Sequence, residues 1–169
     1  MQTLYLLRHA KAATWTPSSD DFSRQLQQVG HLHARRVARW MCEHDELPDC
    51  ILCSPSQRTR ETLTPLLSMR PALETATHFL PQLYHSSMRT LQAALDAAFA
   101  EFNRVLIVGH NPGLEVLTGN VIHNRHHAEF SRLPTGTLAV VDFAEGWEQD
   151  QGKGLLRHFI RGKSLSGKL

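Results

Sequence analysis

The chain has 169 residues, 41% hydrophobic and 20% charged, which is enough for one compact domain with its own core and too little for two. No run of about 18 apolar residues occurs, and Arg8 and His9 arrive too early for the apolar core of a signal peptide, so the expectation is a soluble, cytoplasmic protein. A formal net charge of +2, with Lys and Arg scattered, argues against nucleic-acid or membrane partners.

Residues Thr3 to Arg8 form a short, nearly continuous apolar run, as a strand covered on both faces requires. A polar loop with Trp15, Pro17, Ser18, Ser19 and Asp20 follows it. Val29, Leu32, Val37, Trp40 and Met41 then recur at helical spacing, with Arg35, Arg36 and Arg39 as a solvated face. A second strand, about Asp49 to Cys53, runs into Ser54-Pro55, where a helix should begin, and Pro65 should kink or end that helix. Cys50 and Cys53 spell C-x-x-C, but strand side chains at i and i+3 leave opposite faces, so they read as two buried thiols. Three cysteines are also an odd number, which fits a reducing compartment rather than a secreted disulfide framework.

Ala72 to Phe79 reads as a further strand, and Leu91, Ala94, Leu95, Ala98, Phe99 and Phe102 give a clean helical stripe. Val105 to Val108 is another apolar strand, followed by Gly109-His110-Asn111-Pro112-Gly113, in which Asn111 can cap a helix and Pro112 can take its first position. Leu138 to Phe143 and Leu155 to Ile160 read as two closing strands, and the basic tail, residues 162–169, as flexible. Alternating strands and helices predict a single α/β domain over residues 1–161. Its expected form is a three-layer α/β/α sandwich with a mostly parallel central sheet and one antiparallel member near the end.

In such sheets ligands bind beyond the carboxyl ends of the strands. Three polar clusters fall there: Arg8-His9, Ser54 to Arg58, and Gly109-His110-Asn111. Two arginines can neutralise and orient phosphoryl oxygens, a neutral imidazole can attack phosphorus, and a second histidine can donate to the oxygens as charge builds. Neither the five-residue spacing of a cysteine-phosphatase loop nor the glycines of a P-loop are present. His123, His126 and His127 lack the acidic or cysteine companions of a zinc site, so no metal and no cofactor are expected.

The spelling adds a resemblance. L-L-R-H-A-K-A at Leu6 to Ala12, S-P-S-Q-R-T-R-E-T at Ser54 to Thr62 and V-G-H-N-P-G at Val108 to Gly113 resemble the histidine phosphatase superfamily, with its phosphoglycerate mutase-like fold. The R-H-A-K start, the G-H-N-P-G form, Asp21 to Leu26 and P-T-G-T-L-A-V at Pro134 to Val140 are similar to the SixA-type phosphohistidine phosphatases. The resemblance implies His9 as the phosphorylated residue, with Arg8, Arg58 and His110 completing the catalytic set and Arg24 near bound phosphate. It implies a phosphorylated protein as substrate, or a small phosphomonoester, with a non-catalytic phosphate-binding module as the alternative. Larger members carry an acidic proton donor where this chain offers Gln82, leaving His85 or Glu74 as substitutes. A phosphoramidate nitrogen can leave protonated and needs such a donor less than an ester oxygen does.

Overall fold

The computed structural model describes residues 1–122, 132–148, 150 and 153–166. Six strands form one sheet: β1 (Gln2–Arg8), β2 (Cys50–Cys53), β3 (Thr77–Phe79), β4 (Arg104–Gly109), β5 (Thr137–Phe143) and β6 (Leu155–Arg161), in the spatial order β3-β2-β4-β1-β5-β6. β3, β2, β4 and β1 are mutually parallel, whereas β5 pairs antiparallel with both β1 and β6. One strand of the six therefore runs against the rest, as anticipated.

Helices α1 (Gln28–Glu43) and α2 (Gln57–Met69) cover one face of the sheet, and α3 (Met88–Phe99) and α4 (Gly113–Val121) cover the other. Strand alternation explains how both faces are filled. Leu4, Leu6, Leu52, Val105 and Ile107 point toward α3 and α4, while Tyr5, Leu7, Ile51, Leu106 and Val108 point toward α1 and α2. Cys50 and Cys53 follow the same rule into opposite layers, where burial pushes both thiols up, to about 11 and about 12. Neither is poised to act as a thiolate.

Several local expectations are corrected. On α1 the buried face is Gly30, Ala34, Val37, Ala38 and Met41, whereas Val29 is exposed and Leu32 only half-buried. The cause is a close approach: a Cβ on Gly30 would lie 2.2 Å from the Lys11 carbonyl oxygen, so the smallest residue, not the most apolar, faces inward there. Helix α2 starts at Gln57 and continues through Pro65 to Met69. Only Thr77–Phe79 of the 72–79 segment is strand, the part before it being a 3-10 turn (Pro71–Glu74), and Phe102 lies beyond α3. Pro112 occupies the position before α4 rather than its first residue, and Asn111 directs its side-chain amide to the Leu133 carbonyl and to Glu115 instead of capping. Among the described residues no helix is long and apolar enough to cross a membrane. His123, His126 and His127 lie outside the described residues.

Candidate active site

The carboxyl ends of β1, β2 and β4 meet in a cavity of about 720 Å³. Arg8, His9, Arg24, Arg58 and His110, the five residues singled out from the sequence, all line it. Residues from positions 8 to 110 converge because β4 lies between β1 and β2 in the sheet, so three strand ends open on the same side.

His9 follows β1 directly, and its backbone is pinned on both sides. Its N–H donates to the Gly109 carbonyl (3.1 Å), its carbonyl accepts from the Gly136 N–H (3.0 Å), and the next N–H, of Ala10, donates to Thr62 Oγ1 (3.0 Å). Its Nδ1 lies 2.8 Å from the Ala10 carbonyl oxygen, which can only accept, so Nδ1 carries the proton and Nε2 the lone pair. Burial lowers the His9 pKa to about 4, with Arg58, Arg8 and Arg24 also disfavouring the cation and the Ala10 carbonyl opposing them. The ring is therefore neutral near pH 7.

His110 stands at the end of β4 with its ring centroid 5.4 Å from that of His9. Arg58 Nη2 donates to its Nδ1 (3.2 Å), so its proton is on Nε2, which donates to Ser54 Oγ (2.7 Å). Burial, then Arg58 and His9, bring its pKa to about 3. Two neutral imidazoles thus sit beside permanently charged guanidinium groups.

Arg58 comes from the first turn of α2 and is only 1% exposed. Burying a guanidinium requires a partner, and Asp21 supplies it: Nη1 donates to the Asp21 carbonyl (2.7 Å) and Nη2 to Oδ2 (3.2 Å). The same Oδ2 accepts from Tyr84 Oη (2.5 Å) and lies 2.9 Å from His85 Nε2, and Oδ1 accepts from Arg24 Nε (3.0 Å). These hydrogen bonds and the Arg58 charge outweigh burial and hold the Asp21 carboxyl well below the usual carboxylate range. Within the Asp21 to Leu26 stretch the sequence marks no role for Asp21. Its position in a loop between β1 and α1 carries no periodicity; the signal was the D-x-x-R spelling of Asp21 and Arg24, which now form an ion pair of 2.9 Å.

Arg8 donates through Nη1 to the Leu133 carbonyl (2.9 Å). The buried Nε–H groups of Arg8 and Arg58 have no hydrogen-bond partner among the described residues. Two unmatched cationic donors beside one cavity suit an anion with several acceptor oxygens. Of the substitutes for an acidic donor, His85 lines the cavity, with its ring centroid 5.3 Å from that of His110, whereas Gln82 lines a separate groove beside α3 and Glu74 lines neither. No three His, Cys, Asp or Glu side chains among the described residues are grouped to hold a metal ion.

An α/β sheet that presents two neutral histidines and three arginines at its carboxyl edge defines an anion-binding, phosphoryl-handling class of site. Comparison with known proteins narrows the class. Residues 4–84 match the profile of the Histidine phosphatase superfamily (branch 1). A chain from Agrobacterium tumefaciens, assigned as the phosphohistidine phosphatase SixA, is 31% identical, with a TM-score of 0.80 over 94% of this chain and 97% of that one. The protein histidine phosphatase SixA solved with tungstate superposes with a TM-score of 0.80 at 22% identity, over 97% and 99% of the two chains. A chain from Escherichia coli assigned as an α-ribazole-5′-phosphate phosphatase shares the fold at 15% identity and a TM-score of 0.67, over 99% of each chain. The chain belongs to the histidine phosphatase superfamily and, within it, is of the SixA type.

Proposed function

We propose that the protein is a phosphohydrolase that removes phosphate from phosphohistidine on proteins through a phosphorylated His9. The observation that carries this reading is the tautomer of His9: Nδ1–H is committed to the Ala10 carbonyl, which leaves the Nε2 lone pair on a neutral ring beside Arg8 and Arg58. In the first step Nε2 attacks phosphorus and the bond from phosphorus to the substrate nitrogen breaks; the substrate ring, protonated beforehand by solvent on its other nitrogen, takes the bonding pair and departs as a neutral imidazole. In the second step water attacks phosphorus, the bond to Nε2 breaks, and inorganic phosphate leaves with His9 restored.

Arg8 and Arg58 counter the charge of the phosphoryl oxygens in both steps, and their unmatched Nε–H donors support that assignment. His110 accepts from Arg58 in the arrangement described; a bound phosphate dianion competes for that guanidinium and raises the proton affinity of the ring, turning His110 into a donor to the transferring group. Arg24 is held toward the cavity by Asp21 and extends the cationic wall.

Among the described residues no carboxylic acid lines the cavity, which favours a nitrogen leaving group over an oxygen one. His85 favours the second reading, a small phosphomonoesterase, because it stands on the cavity wall within reach of a departing alkoxide. We place the protein in the cytoplasm, since Cys42, Cys50 and Cys53 are all free thiols. The deciding experiment compares kcat/KM on a phosphohistidine protein with that on simple phosphate esters. A preference of at least about a hundredfold for phosphohistidine is expected; equal efficiency would overturn the substrate assignment.

A further inference from the structure

The cavity extends past the residues assigned to chemistry. Its outer wall is formed by Lys11, His33, Arg161 and Lys163, and among the described residues no Asp or Glu lines it. The cations of the inner part are tied down: Arg58 and Arg24 to Asp21, and Arg8 to the Leu133 carbonyl. Those of the outer wall are not. Among the described residues Lys11, Arg161 and Lys163 enter no ion pair, and the Arg161 guanidinium lies only over the Phe159 ring, 5.8 Å from its centroid.

The backbone fixes where these cations stand. The Lys11 carbonyl accepts from the Gln27 N–H (2.9 Å) and presses against Gly30 of α1. Gly162, between the other two, packs so closely on α1 that a Cβ there would come 2.6 Å from the His33 carbonyl oxygen. Its N–H donates to the Gly136 carbonyl (2.9 Å), and Gly136 in turn donates to the carbonyl of His9 (3.0 Å). The end of β6 is thereby keyed to the segment that carries His9. Lys163 and Lys11 both reach His33, adding to burial and Arg36 in lowering its pKa.

We propose that Lys11, Arg161 and Lys163 form a second anion subsite, which receives carboxylates flanking the phosphorylated residue of a protein substrate and so selects acidic substrate surfaces. The inference rests on the phosphohistidine reading above and names what that site prefers. A protein surface fits better than a second phosphate of a small molecule because apolar groups lie exposed beside the cations. Val29, 38% exposed, lines the same cavity together with the half-buried Ala12 and Pro134. Apolar contacts beside a cationic wall match the mixed character of protein interfaces, and exposed cations steer acidic partners into place.

The test measures kcat/KM for phosphohistidine peptides of equal length flanked by glutamates or by lysines, with wild type and a Lys11→Gln/Lys163→Gln variant. Wild type should prefer the glutamate-flanked peptide by about tenfold at low salt, with the preference shrinking as salt rises. The variant should lose that preference while its rate on p-nitrophenyl phosphate changes less than twofold. Equal rates on the two peptides with wild type would overturn the subsite, and so would a preference that survives in the variant. A preference confined to fructose 1,6-bisphosphate over fructose 6-phosphate would overturn its assignment to a protein. If neither peptide turns over while p-nitrophenyl phosphate does, the phosphohistidine reading fails, and the subsite is decided by inhibition of ester cleavage. Stronger inhibition by the glutamate-flanked peptide supports it, and equal inhibition overturns it.

Discussion

At the amino ends of β1 and β4, Glu46 is 4% exposed, and its carboxylate accepts from Tyr5 Oη (3.0 Å), pairs with Arg157, and lies 3.7 Å from Arg104 and 3.6 Å from His158. Arg157 also pairs with Asp142 (2.7 Å), which accepts from Thr3 Oγ1 (2.8 Å). At the carboxyl ends of the same strands, Asp21 is the single acid among the described residues that the arginines of the cavity pair with; Arg8 feels the charge of Glu115 without an ion pair, and Lys11, Arg161 and Lys163 enter no ion pair there. One end spends its charges on each other. The other keeps cations and imidazole lone pairs available, an arrangement costly to the folded chain unless an anion comes to meet it.

The comparison breaks most sharply at His9. His9→Ala should lower turnover at least about a thousandfold in steady-state assays, since among the described residues no other group is set to attack phosphorus. Arg58→Ala should cost about a hundred- to a thousandfold in kcat, the usual loss for one donor to a developing oxyanion; a loss below threefold would remove Arg58 from the site. Asp21→Asn keeps the size but weakens the hold on Arg58, Arg24 and His85, and should lower kcat/KM about tenfold, because residues that only orient others usually cost about ten- to a hundredfold.

pH sharpens the same contrast. His9 and His110, with pKa values of about 4 and about 3, should keep kcat/KM nearly flat between pH 7 and pH 5, with an acid limb near pH 4 instead of 6.5. Because both values are depressed on folding, their stabilising contribution is complete above the ordinary histidine value of about 6.5 and is lost as pH falls from there through 4 and 3. Urea unfolding should therefore show stability declining below about pH 6.5 in wild type and declining less in His9→Ala. At the opposite end, Glu46→Gln should leave turnover per folded molecule unchanged while lowering unfolding free energy by about 1–3 kcal/mol, read in the same titration. A loss of activity from Glu46→Gln would erase the division between the two ends.

Much of this was legible in advance for a physical reason. β1, β2 and β4 are buried on both faces, so their residues form unbroken apolar runs, and the polar clusters where those runs stop are where topology gathers a site. What stayed hidden depends on tertiary contact. Gly30 faces the core only because Lys11 crosses close to it, which no apolar periodicity reports. Asp21 matters because Arg58, some forty positions away, folds back onto it, and Gln82, although near the right place in sequence, turns to a different groove. Gly162 is keyed against His33 and Leu165 packs on the α1–α2 side of the core, features that a basic Gly/Ser-bearing composition does not announce.

The proposed chemistry depends most on His9 bearing the phosphoryl group. Rapid mixing with a labelled phosphohistidine protein, followed by quenching and peptide mapping, should find acid-labile, alkali-stable label on His9 in wild type and none in His9→Ala. Label on another residue, or full turnover with no trapped label at any quench time, would contradict it.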